Sequence, residues 1–241
     1  PTVFDATVPA YKALLDYEVE LAFVTLKPLA KGQMPAHLGL LLCNDFTDRE
    51  TLLRHIDTSD VASGAGFTTG KSFPGFLPVG NLFVIPKDYR SFARDTELRL
   101  YVHSVFPKLA PGEFALRQRS LASRAVWDID QMVDEIWARE ETRWHHRGEQ
   151  VSLFSTPGSI APRTLLMTGT PPGVVFNAVT VGQKAGGFFD WLAFGWGDSI
   201  PDHALENYIT EARAAGIYLH PDDEVVIHVD GLGMLRNKVI R

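Results

Sequence analysis

Short apolar runs punctuated by glycine and proline set the pattern of this chain. Seven of them have the length and composition of strands: residues 17–26, 38–43, 81–85, Glu97–His103, 165–168, Glu224–Val229 and Gly233–Ile240. Glu97–His103 alternates, with Leu98, Leu100 and Val102 on one face and Arg99 and Tyr101 on the other. The last two runs flank Asp230-Gly231, a common hairpin pair. Helical spacing is rarer. Val126, Ile129, Val133, Ile136 and Trp137 predict an amphipathic helix over about 125–140. Leu205, Tyr208, Ile209 and Ala212 predict another over Asp202–Ala215, with Gly216 as its C-terminal cap. Thr47 and Glu50 have capping-box spacing, which predicts a short helix from Thr47 with Leu52, Leu53 and Ile56 on its apolar face. Strands outnumber helices and do not alternate with them regularly, so the pattern predicts an α+β or mostly β domain rather than a doubly wound sheet. No internal repeat, low-complexity tract or linker divides the chain.

Composition narrows the class. The 241 residues are 45% hydrophobic and 22% charged, ordinary for a globular protein that needs no disulfide or metal merely to fold. A net charge of −6 argues against sequence-independent binding to nucleic acid. The single cysteine, Cys43, excludes an intrachain disulfide, and a reducing cytoplasm is the expected compartment. No apolar run approaches a membrane span and no signal peptide opens the chain. It starts at Pro1, as after loss of an initiator Met or as the later part of a longer chain.

Four segments carry candidate chemistry. In 16–22 a strand would turn Glu18 and Glu20 to one face, about 7 Å apart along the chain, and Val19 and Leu21 to the other. Two such carboxylates need solvent, a basic side chain or a hard cation to offset their repulsion. Asp45 follows at a strand–helix junction; Thr47 fits the cap better, which frees Asp45 as a third oxygen ligand. Lys71, between Gly70 and Ser72-Phe73-Pro74-Gly75, reads either as a surface lysine or as a neighbour of the carboxylates or of an anionic substrate. Thr168-Gly169-Thr170-Pro171-Pro172-Gly173-Val174 closes a strand in a rigid turn, either an ordinary one or one whose N–H groups and hydroxyl receive a carboxylate or phosphate.

In this order the set resembles the fumarylacetoacetate hydrolase family: Glu18-Val19-Glu20, Asn44-Asp45 with Arg49, Lys71-Ser72-Phe73, Thr168 to Val174, and Gly231-Leu232-Gly233 with Asn237. The resemblance spans roughly residues 10–240. It implies an α+β fold of the family's C-terminal-domain type, a mixed β-roll or sandwich with few helices, as a single catalytic domain over 1–241 that assembles as a homodimer. It implies a divalent cation, Mg²⁺ or else Mn²⁺ or Ca²⁺, held by Glu18, Glu20 and Asp45. Lys71 becomes the active-site lysine, and Arg49, Thr170 and Gly169 the substrate contacts. The implied activity is hydrolytic cleavage of a C–C bond in a β-diketo or 2-oxo acid of the kind met in aromatic catabolism. A decarboxylase or keto–enol isomerase on the same fold, and a non-catalytic assembly subunit, are the alternatives.

Two features depart from the family pattern. Its water-activating His and Glu lie upstream of the Glu-x-Glu strand, and none precedes Asp16 here. His145-His146 with Glu149 is the in-chain substitute of similar make-up, or else a solvated loop. A long insertion at about 180–220, mixing glycine with Phe188, Phe189, Trp191, Phe194 and Trp196, is expected to shape the pocket or a subunit contact.

Overall fold

The structure, a computed structural model, describes residues 3–9, 14–57, 60, 63–105, 108–146, 148–176 and 202–241. In chain order its elements are β1 (Val3–Pro9), β2 (Leu15–Asp16), β3 (Val19–Thr25), β4 (Leu29–Ala30), β5 (Leu38–Asn44), β6 (Thr47–Asp48), α1 (Arg49–His55), α2 (Phe67–Lys71), α3 (Tyr89–Asp95), β7 (Glu97–His103) and β8 (Ala115–Leu121). There follow α4 (Ile129–Ala138), β9 (Trp144–His146), β10 (Glu149–Val151), β11 (Ser159–Ile160), β12 (Leu165–Met167), α5 (Asp202–Ala215), β13 (Glu224–Val229) and β14 (Gly233–Ile240). The fold is α+β, with mixed sheets and five helices among the described residues. No helix among the described residues is long and apolar enough to cross a membrane.

One sheet runs β1-β14-β13-β7-β8 and a second runs β12-β3-β5. Every pairing in them is antiparallel except β1 with β14, which is parallel. The predicted hairpin forms where Asp230-Gly231 joins β13 to β14, with Val229 opposite Gly233. Alternation in β7 and β13 sends Leu98, Leu100, Val102, Val225, Ile227 and Val229 into one buried face. That face meets the second sheet, since β7 contacts β3 and both β13 and β14 contact β5. β3 is buried along its whole length, so its acidic neighbours lie in the interior.

Two expectations need correction. Thr47 does not cap the first helix. The helix starts at Arg49, and Asp48 is its cap, accepting from the Thr51 N–H at 3.0 Å. A carboxylate one residue nearer the helix does the job, and Thr47 Oγ1 is buried with no hydrogen-bond partner among the described residues. Residues 81–85 do not form a strand either. Val84 makes one isolated bridge to Leu40, and Val79 another to Cys43. Pro78 and Pro86 bracket the segment, and proline has no N–H to extend a ladder.

The helix expected near 125–140 spans Ile129–Ala138, with a capping box built on Asp128 and Gln131. The helix over Asp202–Ala215 packs Ile209 and Ala212 inward. The aromatic and glycine-rich part of the expected insertion, 180–200, lies outside the described residues.

Candidate active site

The acidic strand, the strand–helix junction and the Lys71 helix converge at one point. β3 pairs with β5 so that Val19 faces Asn44, which sets Glu18 beside Asp45. The Asp45 N–H donates to the Glu18 carbonyl at 2.9 Å, and the Glu18 N–H donates to Asn44 Oδ1 at 2.9 Å. Asn44 Nδ2 in turn donates to Asn237 Oδ1 of β14 at 3.0 Å, which ties the junction to the larger sheet. The result is a buried triad: one oxygen each from Glu18, Glu20 and Asp45 lie within 4.8 Å of one another.

Two cations address this cluster from opposite ends of the helical segment. Lys71, the last residue of α2, donates from Nζ to Glu18 Oε2 at 2.9 Å and to Asp45 Oδ2 at 2.5 Å. Arg49, the first residue of α1, donates from Nη2 to Glu18 Oε1 at 2.6 Å and from Nε to Asp16 Oδ2 at 3.0 Å. Its guanidinium also lies over the Phe176 ring, 5.1 Å from the centroid. Asp16 is fully buried and accepts from the backbone N–H groups of Tyr17, Val175 and Phe176 as well. Glu20 forms no ion pair among the described residues; its Oε2 accepts the Gly169 N–H at 2.8 Å.

The Thr168–Gly173 turn is held against β3 by Gln118. The Gln118 amide accepts the Val19 N–H at 3.1 Å and donates to Thr170 Oγ1 at 2.9 Å and to the Pro171 carbonyl at 2.6 Å. Thr170 Oγ1 donates to the Val19 carbonyl at 3.2 Å. Gly173 is required here: its φ is +116°, and a Cβ would sit 2.1 Å from the Arg117 carbonyl oxygen.

The charges respond to this crowding. Burial, reinforced by the Asp45 and Glu18 carboxylates, pushes the Glu20 carboxyl up to about 8. Burial raises Asp45 as well, although the Lys71 ammonium opposes it. Burial disfavours the Lys71 ammonium, but Glu18 and Asp45 outweigh it and hold that lysine above its ordinary value. Arg49 is held up in the same way by Asp16 and Glu18 against its own burial. Cys43 is pushed well up by burial and then by Glu20 and Asp45, so it stays a neutral thiol in the core.

Two cavities flank the cluster. One, of about 910 Å³, is lined by Thr168, Gly169 and Thr170 together with Arg119, Trp127 and Met132 among others. The other, of about 470 Å³, lies on the Lys71 side. The structure thus brings Glu18, Glu20, Asp45, Lys71 and Arg49 into one network, with Gly169 bonded to Glu20 and Thr170 one residue further. His145 and His146 stand on β9, whose hairpin with β10 pairs His146 with Glu149. Among the described residues neither ring hydrogen-bonds to the carboxylates.

Sequence reasoning passed over Asp16 and Gln118. Asp16 stands next to the Glu-x-Glu segment, and its burial is what signals its role. Gln118 lies on β8, a strand with four exposed residues in seven and no apolar alternation to reveal it.

Fold and site together define an α+β protein with a buried carboxylate cluster able to hold a metal ion. Its sequence is more specific: residues 4–240 match the family described as Fumarylacetoacetate (FAA) hydrolase C-terminal, and the chain belongs to the fumarylacetoacetate hydrolase family. No curated protein matches it. Among solved structures it is similar to a fumarylacetoacetate hydrolase from Exiguobacterium antarcticum, at 21% identity and a TM-score of 0.53 over 99% of this chain and 62% of that one. It is also similar to a 5-carboxymethyl-2-hydroxymuconate delta-isomerase from Mycobacterium smegmatis (21%, 0.54, 99% and 63%). A 2-hydroxyhepta-2,4-diene-1,7-dioate isomerase from Mycobacterium marinum is a third (21%, 0.55, 99% and 65%). These likenesses establish the fold. The chain spans less than two thirds of the length of each of the three.

Proposed function

We propose that this chain is a divalent-cation-dependent enzyme that cleaves a carbon–carbon bond of a β-diketo or 2-oxo acid by hydrolysis. The observation that carries the reading is the charge of the buried cluster. Asp16, Glu18, Glu20 and Asp45 contribute four carboxylates, and Arg49 and Lys71 contribute two cations. With all four ionised, two negative charges would remain in the interior. Without a metal Glu20 holds a proton instead, and one divalent cation among the oxygens of Glu18, Glu20 and Asp45 would offset both charges once that proton leaves. Mg²⁺ suits this donor set, and Mn²⁺ and Ca²⁺ accept the same oxygens. When bound, such a cation supplies a Lewis acid for the enolate charge that develops between two carbonyls.

The chain's own groups do the rest. Lys71 holds a proton at Nζ and keeps a fixed positive charge beside the carboxylates, where it stabilises an enolate oxygen or returns a proton to carbon. Arg49 is engaged with Asp16 and Glu18, and we assign it the positioning of Glu18 rather than a contact to substrate. Thr170 meets a substrate carboxylate once its hydroxyl turns from the Val19 carbonyl towards the ligand. The similar solved hydrolase and isomerases support a substrate of the oxo-acid class. A second reading, isomerisation or decarboxylation of a 2-oxo dicarboxylic acid, is favoured by the two isomerases and by the lack, among the described residues, of a histidine bonded to the cluster.

Calorimetric titration with Mg²⁺ and Mn²⁺ tests the site. Binding by the wild type that disappears in a Glu18→Ala, Glu20→Ala variant is the expected result. A folded wild type that binds neither ion would overturn the reading. With metal present, an acylpyruvate giving pyruvate and the free carboxylic acid marks hydrolysis, whereas oxaloacetate giving pyruvate and CO₂ marks decarboxylation.

A further inference from the structure

The smaller cavity has a character that the acidic cluster does not explain. Phe67 and Thr68 of α2, Trp144 of β9, Val151 at the end of β10, and Leu153 line it, and Lys71 bounds it on the side of the carboxylates. The β9–β10 hairpin is fastened there: Thr68 Oγ1 donates to the His145 carbonyl. The Trp144 indole lies directly on Gly64, where a Cβ would come 2.2 Å from Trp144 Cδ1, and the φ of +71° at Gly64 also favours glycine. Trp144 therefore occupies space that any larger residue at position 64 would deny it.

Among the described residues Lys71 is the one ionisable side chain in this lining, and its ammonium is already shared by Glu18 and Asp45. A carboxylate entering the cavity would lose hydration and find no uncommitted cation among the described residues of the lining. An uncharged apolar group would lose nothing and would cover Phe67, Trp144, Val151 and Leu153.

We infer that the cavity beneath the β9–β10 hairpin receives the tail of the substrate and that Trp144 selects an uncharged, apolar tail over a second carboxylate. The inference rests on the proposed oxo-acid chemistry, and it narrows the substrate to monocarboxylic oxo acids bearing an alkyl or aryl group. At about 470 Å³ the cavity has room for a phenyl ring or a short alkyl chain.

The test is equilibrium binding to the Mg²⁺-loaded full chain by calorimetry, with pyruvate, 2-oxohexanoate, phenylpyruvate and 2-oxoadipate as probes. The wild type should bind 2-oxohexanoate and phenylpyruvate at least about tenfold more tightly than 2-oxoadipate. Trp144→Ala should reduce that preference about tenfold while leaving pyruvate, which has no tail, within about twofold, which also shows that the variant is folded. Leu153→Arg, a change at a half-exposed position, should shift the preference towards 2-oxoadipate. Tighter binding of 2-oxoadipate by the wild type, or a Trp144→Ala variant with its preference intact, would overturn this inference and leave the proposed chemistry standing. Failure of every probe, pyruvate included, would overturn the proposed chemistry and this inference with it.

Discussion

Replacing Arg49 by methionine separates a positioning arginine from a substrate-binding one. The guanidinium is nearly inaccessible and makes charge-assisted bonds of 3.0 Å to Asp16 and 2.6 Å to Glu18. Methionine keeps most of the volume and the contact with Phe176 but strands two buried carboxylates. Removing one partner of a buried ion pair costs about 3–5 kcal/mol, because the charge left behind has neither water nor a counterion. Asp16 keeps the three backbone donors of Tyr17, Val175 and Phe176, and Glu18 keeps Lys71, so the lower half of that range is expected. For a chain of this size, that corresponds to a fall in melting temperature of roughly 10 °C. Asp16→Asn alone also destabilises, because it leaves Arg49 short of a charge. The Asp16→Asn, Arg49→Met double variant should recover at least about 1 kcal/mol relative to the sum of the singles. Urea unfolding of the four proteins, metal-free and at one pH, reads these values. A loss below about 1 kcal/mol for Arg49→Met, or strict additivity in the cycle, would refute the buried-network account. A variant of full stability whose only defect is a raised KM would show instead that the guanidinium faces substrate.

Three further outcomes follow from the same geometry. Lys71→Met removes a cation that competes for Glu18 and Asp45, so Mg²⁺ affinity should rise about tenfold while turnover falls about 10²–10³-fold; a parallel loss of both would contradict this. With Glu20 raised from 4.5 to about 8, the metal-free folded chain keeps a proton that the unfolded chain has released. Its contribution to stability is therefore full below pH 4.5 and declines by about 1.4 kcal/mol per pH unit as pH rises to about 8, a slope that Glu20→Gln should flatten in denaturant titrations. Gly173→Ala should cost at least about 3 kcal/mol, through a positive φ combined with a backbone clash at 2.1 Å. Gly169→Ala, with a similar sign of φ but nothing within 4 Å, should cost only about 1–2 kcal/mol; equal thermal shifts for the two would refute the distinction.

Much of the larger sheet was legible because its strands are half-buried. β7, β13 and β14 alternate, and their predicted limits are the observed ones. β8 was illegible because it lies at the sheet edge with Leu116 and Leu121 exposed, and charged residues interrupt its pattern. α2 and α3, five and seven residues long, are too short to show a helical period. In the site, carboxylates flanked by apolar residues advertised themselves, as did the glycine- and proline-rich turns. The partners did not. Asp16 and Gln118 act through burial and pairing across distant parts of the chain, and neither is visible in a local window; Asn44 and Asn237 stand in the motifs, but their bond to each other does not. Arg49 shows the same limit: the letter marks a cation, and only the fold shows that it points inward.

The bond from Asn44 to Asn237 has a temporal consequence. It joins residues 193 apart in the chain, and the Glu20–Gly169 bond spans 149. During synthesis at about 5–20 residues per second, the acidic segment waits on the order of 10–40 s for the residues that complete its surroundings. Through that interval Glu18, Glu20 and Asp45 can be neutralised only by solvent, protons or their near neighbours Arg49 and Lys71. The network therefore closes only after translation has passed residue 237, and a ribosome-bound nascent chain should acquire high-affinity cation binding late and in one step, not gradually as the first strands emerge.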